Sequence, residues 1–173
     1  KRGAADGPRT YFENIFLKKE NWYQEHNINF IGGISANNLD PQKKTVSLSD
    51  GQNIEYEKLL LAIGGCARRW QIKGSDKKGI CYLRTLDEAK EIIDAIKTAQ
   101  KAVCIGGGFV SFETCELLRM KNIDTTLLVM EPYFWANLLD EESGLMIEDA
   151  IQKGGVKIFK NETTEEVLGD KKE

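Results

Sequence analysis

The amino-acid sequence predicts an α/β fold, and three observations carry that expectation. Short apolar runs ending in glycine or turn residues recur along the chain and alternate with amphipathic helical patterns. Within Ala102–Glu113 one such run breaks into Gly106-Gly107-Gly108 and continues with helical periodicity, which reads as a strand, a phosphate-binding turn and a helix. Residues 28–56 instead show short β-type runs between Asp-Pro and Asp-Gly turns, and the alternation of apolar and polar residues in Thr45-Val46-Ser47-Leu48 is the pattern of a half-solvated antiparallel meander.

In chain order, Lys1–Thr10 is polar and glycine-containing and reads as loop. Apolar residues between Tyr11 and Gln24 are interrupted by Lys18-Lys19-Glu20-Asn21, leaving a short helix near Glu20–Glu25. Strands are expected at Ile28–Ile31, Ile34–Leu39, Lys44–Leu48 and Ile54–Tyr56. Tyr56–Gly65 contains the unbroken run Leu59-Leu60-Leu61-Ala62-Ile63, as for a parallel strand buried on both faces. Gly79–Thr85 is another short strand candidate, after which Thr85 and Glu88 form a capping box. Leu86, Ala89, Ile92, Ile93 and Ile96 give the helix that follows its apolar face, as far as about Lys97.

A composition boundary falls near Ala99-Gln100, dividing the chain into residues 1–98 and 99–173. Beyond it, a strand at Ala102–Ile105, a helix at Phe109–Met120, a turn at Asn122–Asp124 and a strand at Thr125–Met130 make a βαβ unit. Leu138-Leu139-Asp140 leads into a helix from about Glu142 to Lys153, which Gly154-Gly155 ends. Val156–Phe159 and Thr164–Leu168 are further strand candidates.

The glycine turn carries the clearest chemistry. The backbone must fold sharply at Gly106 and approach a pyrophosphate closely at Gly108, where a Cβ would obstruct the ligand. The helix behind it offers unpaired N–H groups and the positive end of its dipole to the phosphates. Ser111 stands where a third glycine or an alanine usually lets helix and strand pack. Glu131 lies where an acid at the tip of the second strand accepts hydrogen bonds from an adenosine ribose. A glycine turn that binds nothing is the competing reading.

Composition narrows the function classes. With 41% hydrophobic and 29% charged residues the chain has material for a core, and its net charge of −3 with no basic, aromatic-interleaved stripe argues against a nucleic-acid surface. No apolar run is long enough to cross a bilayer. Cys66, Cys81, Cys104 and Cys115 show no CxxC spacing, and the single histidine, His26, sits in a turn without ligand partners, so no metal site and no catalytic triad is expected. At least three of the cysteines fall in apolar patterns and read as core residues of a reducing intracellular compartment, the cytoplasm or the interior of a mitochondrion or plastid.

The order of these signals is more informative than any one of them. A meander, the strand end YEKLLLAIGG at 56–65, the joint YLRTLDEA at 82–89 and then the dinucleotide-type βαβ unit resemble the FAD-dependent pyridine nucleotide-disulphide oxidoreductase family. The resemblance runs from about Trp22 to Gly169 and is strongest to the branch of monodehydroascorbate reductase, apoptosis-inducing factor and ferredoxin or rubredoxin reductases. It implies two incomplete Rossmann-like domains: residues 1–98 as the second part of an FAD-binding domain, and 99–173 as the first part of an inserted NAD-binding domain. Family members begin with a GxGxxG turn for the FAD pyrophosphate and continue past the NAD domain. This sequence has neither, so a fragment or a truncated relative is expected.

The resemblance also implies site residues. Ala36 matches the segment against the FAD adenine. Ala62-Ile63-Gly64 matches the Ala-Thr-Gly turn beside the flavin, with isoleucine in place of threonine, and Arg68 matches the arginine that follows. Arg84 and Thr85 match the pair that approaches the flavin cofactor, although capping alone accounts for Thr85. Gly106, Gly107, Gly108, Phe109 and Ser111 fall on the NAD pyrophosphate turn, and Glu113 matches a glutamate near the nicotinamide. Glu131-Pro132 matches the acid that faces the ribose and favours NADH over NADPH, and Asn137 replaces a basic residue common in relatives.

The implied reaction is hydride transfer from NADH to FAD and onward electron transfer to a small-molecule or redox-protein acceptor, with no general base or nucleophile required from this segment. The alternative is a non-catalytic subunit derived from such an enzyme within a larger protein assembly, which the departures at Ile63, Ser111 and Asn137 favour.

Overall fold

A computed structural model describes residues 15–169, so the loop expected at Lys1–Thr10 lies outside the described residues. The chain divides between Ile63 and Gly64 into two compact units.

In the first unit, helix α1 (Glu20–Glu25) is followed by strands β1 (Ala36–Asp40), β2 (Thr45–Leu48) and β3 (Asn53–Glu55). They form the antiparallel meander that the alternation and turn residues predict, in the order β1-β2-β3, with Leu39 opposite Val46 and Val46 opposite Ile54. The turns are set by short acids: Asp40 Oδ1 accepts from the N–H groups of Gln42 and Lys43, and Asp50 Oδ1 from that of Gln52. His26 closes α1 with its ring stacked on Trp22 and its Nδ1 2.8 Å from the Trp22 carbonyl oxygen, a local role.

Two expected strands do not form in this unit. Ile28–Ile31 is irregular chain, with Phe30 stacked on Tyr23 at 4.8 Å instead of standing in a ladder. Tyr56–Gly65 is irregular as well, and Leu60 and Ile63 are each 88% exposed. An apolar run becomes a buried parallel strand only beside hydrogen-bonded neighbours, and none pairs with it among the described residues.

The second unit contains α2 (Leu86–Ala95), β4 (Lys101–Ile105), α3 (Phe109–Met120), β5 (Asp124–Leu128), α4 (Glu141–Lys153) and β6 (Lys157–Phe159). The strands make a parallel sheet in the order β4-β5-β6, with Ile105 opposite Leu128 and Leu128 opposite Phe159. α3 packs on β4 and β5, and α4 packs on β6. Strict alternation in β5 puts Thr125 and Leu127 in the interior, where Cys115, Val129, Phe134, Ile151 and Val156 complete the core. The alternate residues Val103 and Ile105 of β4 and Phe159 of β6 are exposed on the other side.

Of the four cysteines only Cys115 is fully buried, with Cys104 packed against the core beside it. The two neighbouring thiols shift each other in opposite directions: Cys115 holds the Cys104 thiol below its ordinary pKa, while Cys104, together with burial, pushes that of Cys115 up. Cys66 and Cys81 are exposed, contrary to the expectation of at least three core cysteines. Cys81 falls in Gly79–Thr85, which forms no ladder and therefore has no alternation to bury it. Thr164–Leu168 reduces to a single parallel bridge between Glu166 and Lys73.

The capping box at the start of α2 is present and carries more than a helix end. Glu88 is 9% exposed. Its Oε2 accepts from the N–H groups of Thr85 (3.0 Å) and Arg84 (2.9 Å), and its Oε1 from Arg69 Nη2 (2.7 Å). The Glu88 N–H in turn donates to Thr85 Oγ1. The backbone N–H of Thr85 above all, with that of Arg84 and the Arg69 charge, holds the Glu88 carboxyl below its ordinary pKa against the opposing effect of burial. A depressed folded pKa contributes stability that is complete above the unfolded value of about 4.3 and is lost as pH falls through the folded value. Glu88→Gln is therefore expected to lower the unfolding midpoint at pH 7 and to flatten its fall between about pH 5 and 3. Wild-type and variant curves that run parallel over that range would show that the Glu88 carboxylate is not held in this way.

Candidate functional site

The three glycines of the turn have three different physical reasons. Gly106 has φ +111°, a backbone conformation that side chains rarely adopt, and its N–H donates to the Leu128 carbonyl at 2.8 Å, tying the turn to the end of β5. A Cβ on Gly107 would lie 3.2 Å from Glu131 Oε2 and 3.3 Å from Val129 Cγ1, so any other residue here would crowd the acid and the valine side chain. Gly108 has nothing within 4 Å of its Cβ position, leaving open space in front of it.

Gly108 is also the N-cap of α3, and it supplies no side-chain hydrogen bond to that helix. The first N–H groups of α3 are thus left to solvent or to an anion, at the positive end of the helix dipole. Ser111 is accommodated at the position where glycine or alanine was expected, its hydroxyl 3.8 Å from the Gly106 Cβ position. Phe109, the first residue of α3, is 56% exposed, and Glu113 is exposed one turn later. The structure therefore brings Gly106, Gly107, Gly108, Phe109, Ser111 and Glu131 to one end of the parallel sheet.

The loop from Glu131 to Asp140 is fixed from below. Glu148 on α4 is buried, and its Oε1 accepts from the Phe134 N–H at 2.8 Å while its Oε2 pairs with Lys160 at 2.9 Å. Gly144 lets α4 come so near this loop that a Cβ would lie 2.6 Å from the Tyr133 ring. Trp135 then packs against Phe109, the rings tilted by 41° with centroids 4.2 Å apart. Asn137 is exposed.

A second region gathers around Arg84. Its Nε donates to the Gly65 carbonyl at 3.2 Å, and its Nη2 lies 3.7 Å from the Cβ position of Gly64, which has φ +66°. Thr85 is engaged in capping α2, and Arg68 is exposed. Its neighbour Arg69 makes the ion pair with Glu88 and lies over the Tyr82 ring at 4.4 Å, while the Tyr82 hydroxyl accepts from the Trp70 N–H. Ala36, in β1, and Ala62 both belong to the first unit and are exposed.

Sequence reasoning missed Arg69, Glu148 and Trp135. Arg69 and Glu148 act through partners far away in the sequence, which no local pattern reveals; Trp135 stood between Pro132 and Asn137, in a stretch assigned to no element. A concavity of about 700 Å³ lined by Lys73, Gly74, Lys77, Glu166, Val167 and Leu168 contains none of the predicted site residues. No cluster of His, Cys, Asp and Glu able to hold a metal occurs among the described residues, and no helix among them is long and apolar enough to cross a membrane.

Comparison with known proteins agrees with this geometry. The sequence model of the pyridine nucleotide-disulphide oxidoreductase family matches residues 4–173. The NADH-rubredoxin oxidoreductase of Clostridium acetobutylicum is 33% identical over 158 residues, 91% of this chain and 41% of that protein. Its crystal structure superposes with a TM-score of 0.76 over 88% of this chain and 40% of its own. The monodehydroascorbate reductase of Solanum lycopersicum is 31% identical over 144 residues, 80% of this chain and 33% of the relative. A FAD-dependent pyridine nucleotide-disulphide oxidoreductase from Desulfovibrio vulgaris is 29% identical, with a TM-score of 0.64 over 79% of this chain and 36% of its own. This chain spans between about a third and about two fifths of the length of each of these proteins. With the Rossmann-like α/β architecture, the glycine turn and the family match over nearly its whole length, the chain belongs to the pyridine nucleotide-disulphide oxidoreductase family.

Proposed function

We propose that this chain is a segment of a flavoprotein reductase that takes hydride from NADH to FAD and passes electrons to a small-molecule or redox-protein acceptor. Residues up to about 98 are assigned to the FAD-binding part and residues 99–173 to the NAD-binding part. The observation that carries the reading is the position of Glu131 Oε2, 3.2 Å from the Cβ position of Gly107 at the end where α3 begins without a cap. A dinucleotide makes two demands of a protein at such a place, an anion site for its pyrophosphate and an acceptor for its ribose hydroxyls, and these residues fit both.

In this reading the N–H groups at the start of α3 hold the pyrophosphate, Gly108 keeps the approach clear, and Glu131 accepts from the ribose. A 2′-phosphate would instead face the Glu131 carboxylate, and Asn137 offers it no countercharge, which favours NADH over NADPH. Phe109 is assigned to the pyrophosphate turn, Glu113 to the nicotinamide side, and Ala36, Ala62, Gly64, Arg68, Arg84 and Thr85 to FAD. The Arg84–Gly65 bond supports the last assignment by holding a cation beside the Gly64 turn. The cofactors supply the redox chemistry when bound, and the protein supplies orientation, charge and exclusion of water. The turn geometry is kept with serine at 111, so that departure does not favour a non-catalytic subunit.

The intact protein that carries this chain is expected to show flavin absorbance that NADH bleaches. Gly108→Leu, whose side chain would enter open space, should keep the wild-type melting temperature yet abolish bleaching at NADH concentrations that saturate the wild type. Bleaching at the wild-type rate would remove the turn from the site, and a colourless protein that takes up no added FAD would support the subunit alternative.

Glu131→Arg replaces an acceptor and a repulsive charge with a cation. It should move the NADH/NADPH ratio of kcat/KM towards NADPH by at least tenfold, equivalent to about 1.4 kcal/mol. An unaltered ratio would mean that the acid does not face the ribose.

A further inference from the structure

Trp135 combines two unfavourable features. Its φ of +59° is in the left-handed region, which a bulky side chain rarely occupies, and its indole Nε1 is shielded from solvent without a hydrogen-bond partner. A residue stays in such a state only when its surroundings fix it. Here they do: on one side the Phe134 N–H is bonded to buried Glu148, and on the other the N–H groups of Leu138 and Leu139 both donate to the Trp135 carbonyl, at 2.7 and 2.9 Å.

The location gives these features meaning. The indole lies 4.2 Å from the ring of Phe109 and 6.0 Å from that of Phe112, both in the first turn of α3, the helix whose N-terminus has no cap. An unpaired donor in a fixed backbone beside an anion-binding turn is suited to an oxygen acceptor that arrives with a ligand. Aromatic packing alone would be served equally by phenylalanine, which has no N–H to leave unpaired.

From this we infer that Trp135 is a binding residue for the dinucleotide, its indole N–H donating to an oxygen of the adenosine diphosphate half. This rests on the dinucleotide reading of the glycine turn. On binding, the indole turns from its shielded position towards the turn while Glu148 keeps the backbone in place. The contact is remote from the nicotinamide, so it affects affinity and leaves the hydride step alone.

ADP-ribose, which has the adenosine diphosphate half without the nicotinamide, is the direct probe. By calorimetry on the intact protein, Trp135→Phe is expected to weaken ADP-ribose binding roughly tenfold, to raise KM for NADH by a similar factor and to leave kcat unchanged. In the absence of ligand the variant should melt no lower than the wild type, because it removes an unpaired donor while keeping an aromatic ring. In wild-type protein with ¹⁵N-labelled tryptophan, ADP-ribose should move the Trp135 indole N–H signal downfield. That signal is assigned to Trp135 by its through-space contacts to the rings of Phe109 and Phe112, which requires no tryptophan variant. Wild-type affinity in Trp135→Phe, or a Trp135 signal that stays in place while ADP-ribose binds, overturns the proposal and leaves the dinucleotide site standing. Failure of the wild type to bind ADP-ribose overturns both.

Discussion

The constraint on which the second unit depends is the start of α3, where Gly108 gives the helix backbone but no capping side chain. Helices usually meet their first N–H groups with a serine, threonine, aspartate or asparagine, as α2 does with Thr85 and α4 with Asp140. Leaving α3 with glycine there has a small stability cost, roughly a few tenths of a kcal/mol. The neighbouring choices follow from keeping that end open: the left-handed backbone at Gly106, the absence of a side chain between Gly107 and Glu131, and the bond from Gly106 N–H to β5 that fixes the turn against the sheet.

Two buried carboxylates hold the regions around the candidate sites in place. Glu88 gathers Arg69, Arg84 and Thr85 and so positions the corner where Arg84 meets Gly65. Glu148 gathers Phe134 and Lys160 and so fixes the loop that carries Glu131 at one end and Trp135 in the middle. Each is mostly removed from water, and each is paired with a cation and at least one backbone N–H, the condition under which a buried charge is tolerated. Neither belongs to the set predicted to touch a cofactor. Their role is to give exposed residues a defined position.

The sequence was most legible where local rules suffice. The bounds of α3, the capping box at Thr85 and Glu88, the end of α4 at Gly154 and the meander turns at Asp40 and Asp50 are all dictated within a few residues. It was least legible where an element needs a distant partner. Leu59–Ile63 has the composition of a buried strand, and Gly79–Thr85 that of a shorter one, but composition does not supply the neighbouring strand that either requires. The same holds at the site. The spacing from Ser111 to Glu131 could be read directly, whereas the anchoring of the loop by Glu148 and the packing of Trp135 against Phe109 depend on how α3, α4 and β5 pack together.

The central claim is that the open start of α3 and the tip of β5 form one dinucleotide site. Amide hydrogen exchange of the intact protein, with and without saturating NADH, tests it most directly, because exchange reports the local opening of individual segments. The account predicts slowed exchange concentrated in peptides covering Cys104–Glu113 and Glu131–Leu139. Binding of NADH that leaves both peptides exchanging as in the free protein would contradict it.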